Sequence, residues 1–432
     1  MKIRLPRNLM FPLAVAAFIG VTITYANFIF TYSTRWIFLA VLALHLLLKN
    51  RMMYGFHSRF GLALLIYCTW CLLTSAWSIV PELSIAKSAA MILVALSFVS
   101  AGYWWSFDRG SLNAMNYLVP VTAMGLLAGV IGGASSEVFG QGRVVLYQGA
   151  LTSNPNMLGF LAAMSIPLLL WNAYRHRTKL KIIWIALLVI DIAVLMRTHA
   201  RASILCAGVI GIGFCLSLKL RKTSFVLVLM AAVLLVAAST DSAFLDSMYS
   251  GYVLKGATQK AGAIFSRQQV WLRSYENAEQ GGWFGVGYGA TVGDTEFEGG
   301  LSALAYGREK GNSQLAIVEE TGLVGLGLYG ILLITLFAPL ISAHLRERSR
   351  DGKVILGLIT GALAGLTLQS VFEAWWVAPG SPEAAYFWSL AGVGLGIARS
   401  SLYSPKAEVQ RSKTLELAVY PERLPQPGGV EG

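Results

Sequence analysis

Apolar runs of close to twenty residues recur from one end of this chain to the other. A helix that crosses the hydrocarbon core of a bilayer needs about 20 predominantly apolar residues, so the recurrence limits the possible folds sharply. Such stretches are read at roughly 9–30, 34–48, 60–78, 85–105, 112–133, 154–173, 182–198, 202–218, 225–240, 320–343, 354–377 and 384–398. The second, eighth and ninth are short for a full crossing. Composition agrees, with 56% of the 432 residues hydrophobic and only 13% charged, where soluble domains carry about 25% charged residues. A soluble multidomain enzyme is excluded. The expected fold is all-α, a polytopic integral membrane protein of about 12 transmembrane helices. Basic Met1–Arg7 precedes a run long enough to span, which predicts an anchor rather than a cleaved leader.

The net charge of +12 could suggest a nucleic-acid partner, but the basic residues do not gather into one patch. They alternate from loop to loop, as orientation in a membrane requires. One set of loops takes Lys2–Arg7, Lys49–Arg59, Arg109, Arg175–Lys181, Lys219–Lys222, Arg346–Lys353 and everything from Arg399 onward. The positive-inside rule makes that set cytoplasmic, with both termini. No nucleic-acid partner is expected; membrane lipids are.

Residues 241–312 break the pattern as one long hydrophilic segment on the outer, periplasmic side. Within it, Val270 and Leu272–Tyr275 suggest an amphipathic helix over about 268–280. The tail, 401–432, is polar and ends in Pro and Gly, and is expected to be a disordered cytoplasmic extension of a membrane domain covering 1–400. Cys68 and Cys71 form a CxxC inside an apolar run, without the βαβ setting a redox motif needs, and read as packing.

Charges at or within the membrane are costly and therefore candidates for function. Arg197, His199 and Arg201 crowd a turn between two spans at the outer face, with 197 and 201 one helical turn apart. In the long outer segment Arg267 and Arg273 precede Gly281-Gly-Trp-Phe-Gly-Val-Gly-Tyr-Gly289. That string imitates a dinucleotide fingerprint but follows no strand, so its glycines are expected to let backbone approach a ligand or a neighbouring helix. Glu319 and Glu320 stand at the mouth of the next span, where a helix dipole favours carboxylates or an ion pair can hold an arginine in place.

Four elements in order then resemble the O-antigen ligase and polysaccharide polymerase family (the WaaL and Wzy type, membrane glycosyltransferases of the GT-C class). They are Ser153-Asn-Pro-Asn-Met-Leu-Gly159, Thr198-His-Ala-Arg-Ala202, Ser266-Arg267 with Trp271 ahead of Trp283–Gly289, and Gly311-Asn312 through Glu320-Thr-Gly-Leu-Val-Gly325. The resemblance covers about 150–330. It implies glycan transfer at the periplasmic face of the bacterial inner membrane. The donor would be an undecaprenyl-diphosphate-linked oligosaccharide and the acceptor lipid A-core or another lipid-linked glycan, with no cofactor and no metal. By resemblance Arg201 and Arg267 bind the diphosphate; Arg197, Arg273 and Asn312 are further substrate-binding candidates. Guanidinium groups suit that task because they stay charged and grip phosphate oxygens bidentately.

One position departs from the family. Where the family has a His ahead of Asn312, taken to activate the acceptor hydroxyl, this sequence has Gly311, and 241–312 holds no His. The expected substitutes are His199 or a carboxylate among Glu309, Glu319, Glu320 and Glu373, with Glu320 either a base or an arginine-orienting group. Loss of that His tilts the reading from ligase toward polymerase. Two alternatives stand beside it: a small-anion transporter using Arg201 and Arg267, and an inactive family member in a glycan assembly complex. Trp104, Trp105, Trp375 and Trp376 fall near span ends, where interface belting is expected, with sugar stacking an option for the last two.

Overall fold

The structure, a computed structural model, describes residues 9–23, 33–52, 58–130, 135–136, 146–147, 152, 154–177, 179–198, 200–220, 265–292 and 310–419, with backbone alone for 135–136, 146–147, 265–270 and 401–419. Its helices are α1 (Met10–Gly20), α2 (Thr34–Leu48), α3 (Arg59–Leu73), α4 (Pro81–Arg109), α5 (Val119–Val130) and α6 (Pro155–Arg175). They continue as α7 (Lys179–Arg197), α8 (Arg201–Ser217), α9 (Phe265–Gly281), α10 (Ser313–Arg346), α11 (Arg350–Gln369) and α12 (Pro382–Val419). A two-residue antiparallel pair, Ser135–Ser136 with Leu146–Tyr147, and an isolated bridge between Ile23 and Thr152 are the departures from helix and turn among the described residues.

Local chemistry explains where several of these helices begin. Asn154 caps α6 by accepting from the Asn156 N–H at 2.8 Å, and Pro155 supplies the preset first-turn φ. Ser349 caps α11 in the same way through the Gly352 N–H. Pro81 opens α4 with Glu82 in its first turn, and Gly110, at φ 73°, closes it.

Six segments are long and apolar enough to cross a membrane: Arg59–Ala76, Pro81–Arg109, Ser111–Val130, Pro155–Arg175, Ser313–Arg346 and Arg350–Gln369. Three more apolar helices, α1, α2 and α8, are shorter. Twelve full spans are therefore not reached among the described residues, and the stretch 225–240 lies outside them. The span read over 354–377 stops at Gln369, and the chain then turns into the short 3-10 segment Trp375–Val377. The backbone of 401–419 continues α12 as helix, while 420–432 lies outside the described residues. The Lys, Glu, Gln and Leu residues of 401–419 are good helix formers.

Small residues set the helix contacts, as is usual where lipid leaves no hydrophobic force between helices. A Cβ on Gly392 of α12 would sit 2.2 Å from the Val99 carbonyl oxygen of α4. Along α8 and α11 the register is antiparallel, with Cys206 beside Gly365, Ile210 beside Gly361 and Gly213 beside Gly357. Continued toward the start of α8, that register sets Arg201 level with Ser370.

Side-chain contacts sort the helix ends into two sets. At one end Arg51 pairs with Asp108 at 2.8 Å, Arg175 donates to the Leu112 carbonyl at 3.0 Å, and Tyr174 donates to Asp351 at 2.9 Å. At the other end Lys87 reaches the Gly289 carbonyl and Ser313 N–H donates to the Ser370 carbonyl. Twenty-one residues of α4 separate Lys87 from Asp108, or about 32 Å of helix, close to the ~30 Å hydrocarbon core of a bilayer. The first end, with Arg51 and Arg175, is the basic end.

Candidate functional site

The end opposite the basic one is organised by a break in α10. Gly322 takes φ 71° and ψ −176°, which no helix accommodates. Gln314 Nε2 nevertheless donates to Tyr329 OH at 3.1 Å, although fifteen residues of straight helix would part them by about 22 Å. The chain therefore folds back at Gly322, and Ser313–Thr321 lies against the helix that follows.

A break leaves backbone groups without helical partners, which a membrane environment penalises heavily. The glycine-rich segment 281–289 meets that need. Val286 and Gly287 N–H donate to the Glu319 and Glu320 carbonyls at 2.9 and 3.0 Å. Leu323 and Val324 N–H donate to the Gly282 and Trp283 carbonyls at 3.0 and 3.2 Å. Trp70 Nε1 donates to the Thr321 carbonyl at 2.9 Å. The glycines make this possible: Gly285, at φ 77°, has the Glu320 backbone where a Cβ would stand, and Gly322 has that of Trp283. The string that imitates a dinucleotide fingerprint is thus a backbone splint for a broken helix. It is tied back to the turn before α4 through Tyr288 N–H on Thr74 Oγ1 and Trp77 Nε1 on the Gly285 carbonyl.

Buried charge locks the splint. Lys310 Nζ donates to Glu320 Oε1 at 2.6 Å and to the Ala290 carbonyl at 3.0 Å, and lies 3.2 Å from Glu319 Oε2. Glu320 Oε2 accepts from Gly289 N–H at 2.6 Å, while Glu319 Oε1 accepts from Asn277 Nδ2 and Val292 N–H, each at 3.1 Å. Lys87 approaches the same segment at the Gly289 carbonyl. Both glutamates are wholly buried and both lysines nearly so. Burial alone would lower the Lys310 pKa, but the carboxylates of Glu320 and Glu319 outweigh it and hold the ammonium above the ordinary lysine value.

The helix α9 spans the predicted amphipathic stretch and fastens the other side. Trp271 Nε1 donates to the Gly311 carbonyl at 3.1 Å and Ser274 Oγ to the Lys310 carbonyl at 2.5 Å.

The predicted site residues distribute as follows. Glu320 sits in the lock, and the cation it holds is Lys310 rather than an arginine, with both its oxygens engaged. Asn312 caps α10, its side-chain oxygen accepting from Leu315 N–H at 2.9 Å. Arg201 begins α8 and is half-buried; Arg197 and Arg273 are exposed. His199 and Glu309 lie outside the described residues, and Arg267 is described only as backbone on α9. Thr198 and Ala200 flank His199 and pack on Gly159, where a Cβ would meet Ala200 Cβ at 2.4 Å.

All four sequence elements therefore gather at one end of the bundle. Gly159 touches the 198–203 turn, Arg201 is level with Ser370, and Ser370 accepts from Ser313 at the start of the folded-back helix. Trp375 and Trp376, by contrast, are each 1% exposed, so they neither belt an interface nor stack on a sugar. Trp376 packs edge-on to Tyr329 at 4.7 Å and donates to Tyr67 OH. Lys310 and Lys87 escaped the sequence reading; the only signal for Lys310 was a lysine ten residues before a glutamate pair. Among the described residues no group of three or more His, Cys, Asp or Glu stands together as metal ligands would.

No protein-family model matches the chain, and no curated protein matches it. Among solved structures it is similar to a chain from work on structural coordination of polymerization and crosslinking by a peptidoglycan synthase complex. Identity is 16% and the TM-score 0.43, over 80% of this chain and 98% of that one. A likeness that distant carries no argument about function.

Proposed function

We propose that this chain is a membrane glycosyltransferase that transfers or polymerises undecaprenyl-diphosphate-linked oligosaccharide at the periplasmic face of the bacterial inner membrane. It would act as an O-antigen or exopolysaccharide polymerase, or as an O-antigen ligase. The observation that supports this reading is the gathering of four separate sequence elements at the end of the bundle opposite the basic loops. Under the positive-inside rule that end is the outer one.

The chemistry is metal-independent charge stabilisation. As the glycosidic bond breaks, negative charge grows on the diphosphate leaving group, and fixed guanidinium groups stabilise it more in the transition state than in the ground state. Arg201 and Arg267 take that role, with Arg197 and Arg273 guiding the anionic donor from more exposed positions. Glu320 acts as a positioning residue through Lys310 and the splint, which leaves His199 as the first candidate to accept the acceptor's proton at neutral pH. The broken helix is also a transporter feature. Here the Glu319, Glu320 and Thr321 carbonyls at the break accept from Val286, Gly287 and Trp70, which favours a structural use of the break over ion coordination.

The test is complementation in the native host by Arg201→Ala and Arg267→Ala, with insertion confirmed and surface polysaccharide read on a gel. Loss of long chains with accumulation of single lipid-linked repeats identifies a polymerase. Full-length chains stranded on the carrier identify a ligase. Unchanged polysaccharide overturns the proposal.

A further inference from the structure

One stripe of α3 stays open along its length, and the proposed glycan chemistry makes no use of it. Leu62, Ile66, Trp70 and Leu73 follow at intervals of four, four and three residues, so they share a face of the helix. The three aliphatic residues are exposed and Trp70 is half-buried. The stripe does not stop where α3 ends. Trp77, 42% exposed, and Phe284 of the glycine splint, 58% exposed, form a three-ring group with Trp70. The two indoles stand 5.7 Å apart between centroids, and Phe284 stands 6.1 Å from Trp70 and 6.2 Å from Trp77. The rings are fixed, because the indole N–H of Trp70 donates to the Thr321 carbonyl and that of Trp77 to the Gly285 carbonyl. No charged residue occurs in 60–81 or in 280–293.

We infer that this aromatic tip of the splint is seated in the outer leaflet, with Phe284 and Trp77 at the boundary between acyl chains and headgroups. Three observations identify lipid as the occupant. The first is continuity, since the rings prolong the apolar stripe of a spanning helix, and a large exposed apolar patch marks an interaction surface. The second is depth. Arg59–Ala76 is about 27 Å long, so with Arg59 at the basic edge Trp77 falls at the far edge of a ~30 Å hydrocarbon core, where aromatic rings are favoured. The third is the state of the backbone. Non-helical chain enters a membrane only where its polar groups are paired. In the splint the Gly282, Trp283 and Gly285 carbonyls and the Gly285, Val286 and Gly287 N–H groups are all hydrogen-bonded. The glycines thus pack inward on the broken helix while the aromatic side chains face the bilayer. The inference concerns the lipid around the chain and stands apart from glycan transfer.

The experiment places a nitroxide on the full chain at Phe284→Cys, Ile66→Cys or Glu276→Cys, in liposomes of phosphatidylethanolamine and phosphatidylglycerol. The four native cysteines are buried, so each new thiol takes the label. Ile66 lies on the open stripe of α3 and Glu276 is exposed on α9. Collisions with oxygen, which concentrates among acyl chains, are compared with collisions with a water-soluble nickel chelate. The oxygen-to-nickel ratio at 284 should be several-fold above that at 276 and below that at 66. Should Phe284→Cys fail to insert, Ile79→Cys serves instead and should give the same ordering, since Ile79 is exposed two residues beyond Trp77. Equal ratios at 284 and 276 would overturn the inference, because the rings would then face water as a sugar-stacking platform does. Low collision with both reagents would overturn it too, by showing a surface covered by protein.

Discussion

At Lys310 one ammonium meets two carboxylates in a volume closed to water, with Lys87 the nearest further cation on the same segment. Breaking such a group costs more than forming it gains, because the remaining charges stay buried without compensation. Lys310→Met should destabilise the protein by about 3–5 kcal/mol, read as earlier unfolding in detergent. Adding Glu320→Gln should recover part of the loss, since it removes one of the stranded charges. A Lys310→Met protein as stable as wild type would show that the lock holds nothing. The pH dependence follows from the direction of the Lys310 shift. Its pKa is raised in the folded state, so its contribution is complete below the unfolded lysine value of about 10.4 and fades only as pH rises past the higher folded value. Wild-type stability should therefore lose nothing through Lys310 between pH 6 and 9, and its unfolding midpoint in detergent should fall on this account only in stronger alkali.

Among the elements, the folded-back α10 and its glycine splint are the least ordinary parts. Gly322→Ala and Gly285→Ala each force a Cβ into opposing backbone at a positive φ, and each should expose 271–292 to protease. Gly282→Ala is the control. It shares the positive φ, at 55°, but has nothing within 4 Å, so about 1–2 kcal/mol is expected and no loss of the fold. Equal proteolysis of all three variants would remove the splint from the account. This element also marks where the sequence was legible. The close backbone approach at 281–289 and the helix over 268–280 both follow from residue type. The break at Gly322 does not, because 320–343 reads as one apolar run in which a glycine is unremarkable. Glu319 and Glu320 pointed to an ion pair, but spacing alone could not choose Lys310 over an arginine. Trp375 and Trp376 look like interface residues from their place near the end of a run; only the turn after Gln369, which carries them back into the bundle, buries them.

For the whole molecule, the alternation of charged loops anticipated the two ends that side-chain contacts define, because that signal is summed over many loops. The number of full spans was harder to read, since short helices such as α1, α2 and α8 and the fold-back in α10 blur the relation between run and crossing. The assignment of faces is open to direct measurement. All four native cysteines are buried, so single Trp283→Cys and Ser349→Cys variants report accessibility with little background. An impermeant thiol reagent added to spheroplasts should label position 283 and spare 349 until the membrane is opened. The reverse pattern would invert the orientation and with it the proposed site of glycan transfer.

The lock also fixes an order of events while the chain is being made. Lys87 meets the Gly289 carbonyl across 202 residues of sequence. At about 5–20 residues per second, a ribosome needs roughly 10–40 s to supply that partner. Through that interval the start of α4 must hold its ammonium in the headgroup zone, where a lysine stem can snorkel. This helix thus enters the bilayer with its final contact still unwritten, and its last adjustment waits for the glycines to leave the ribosome.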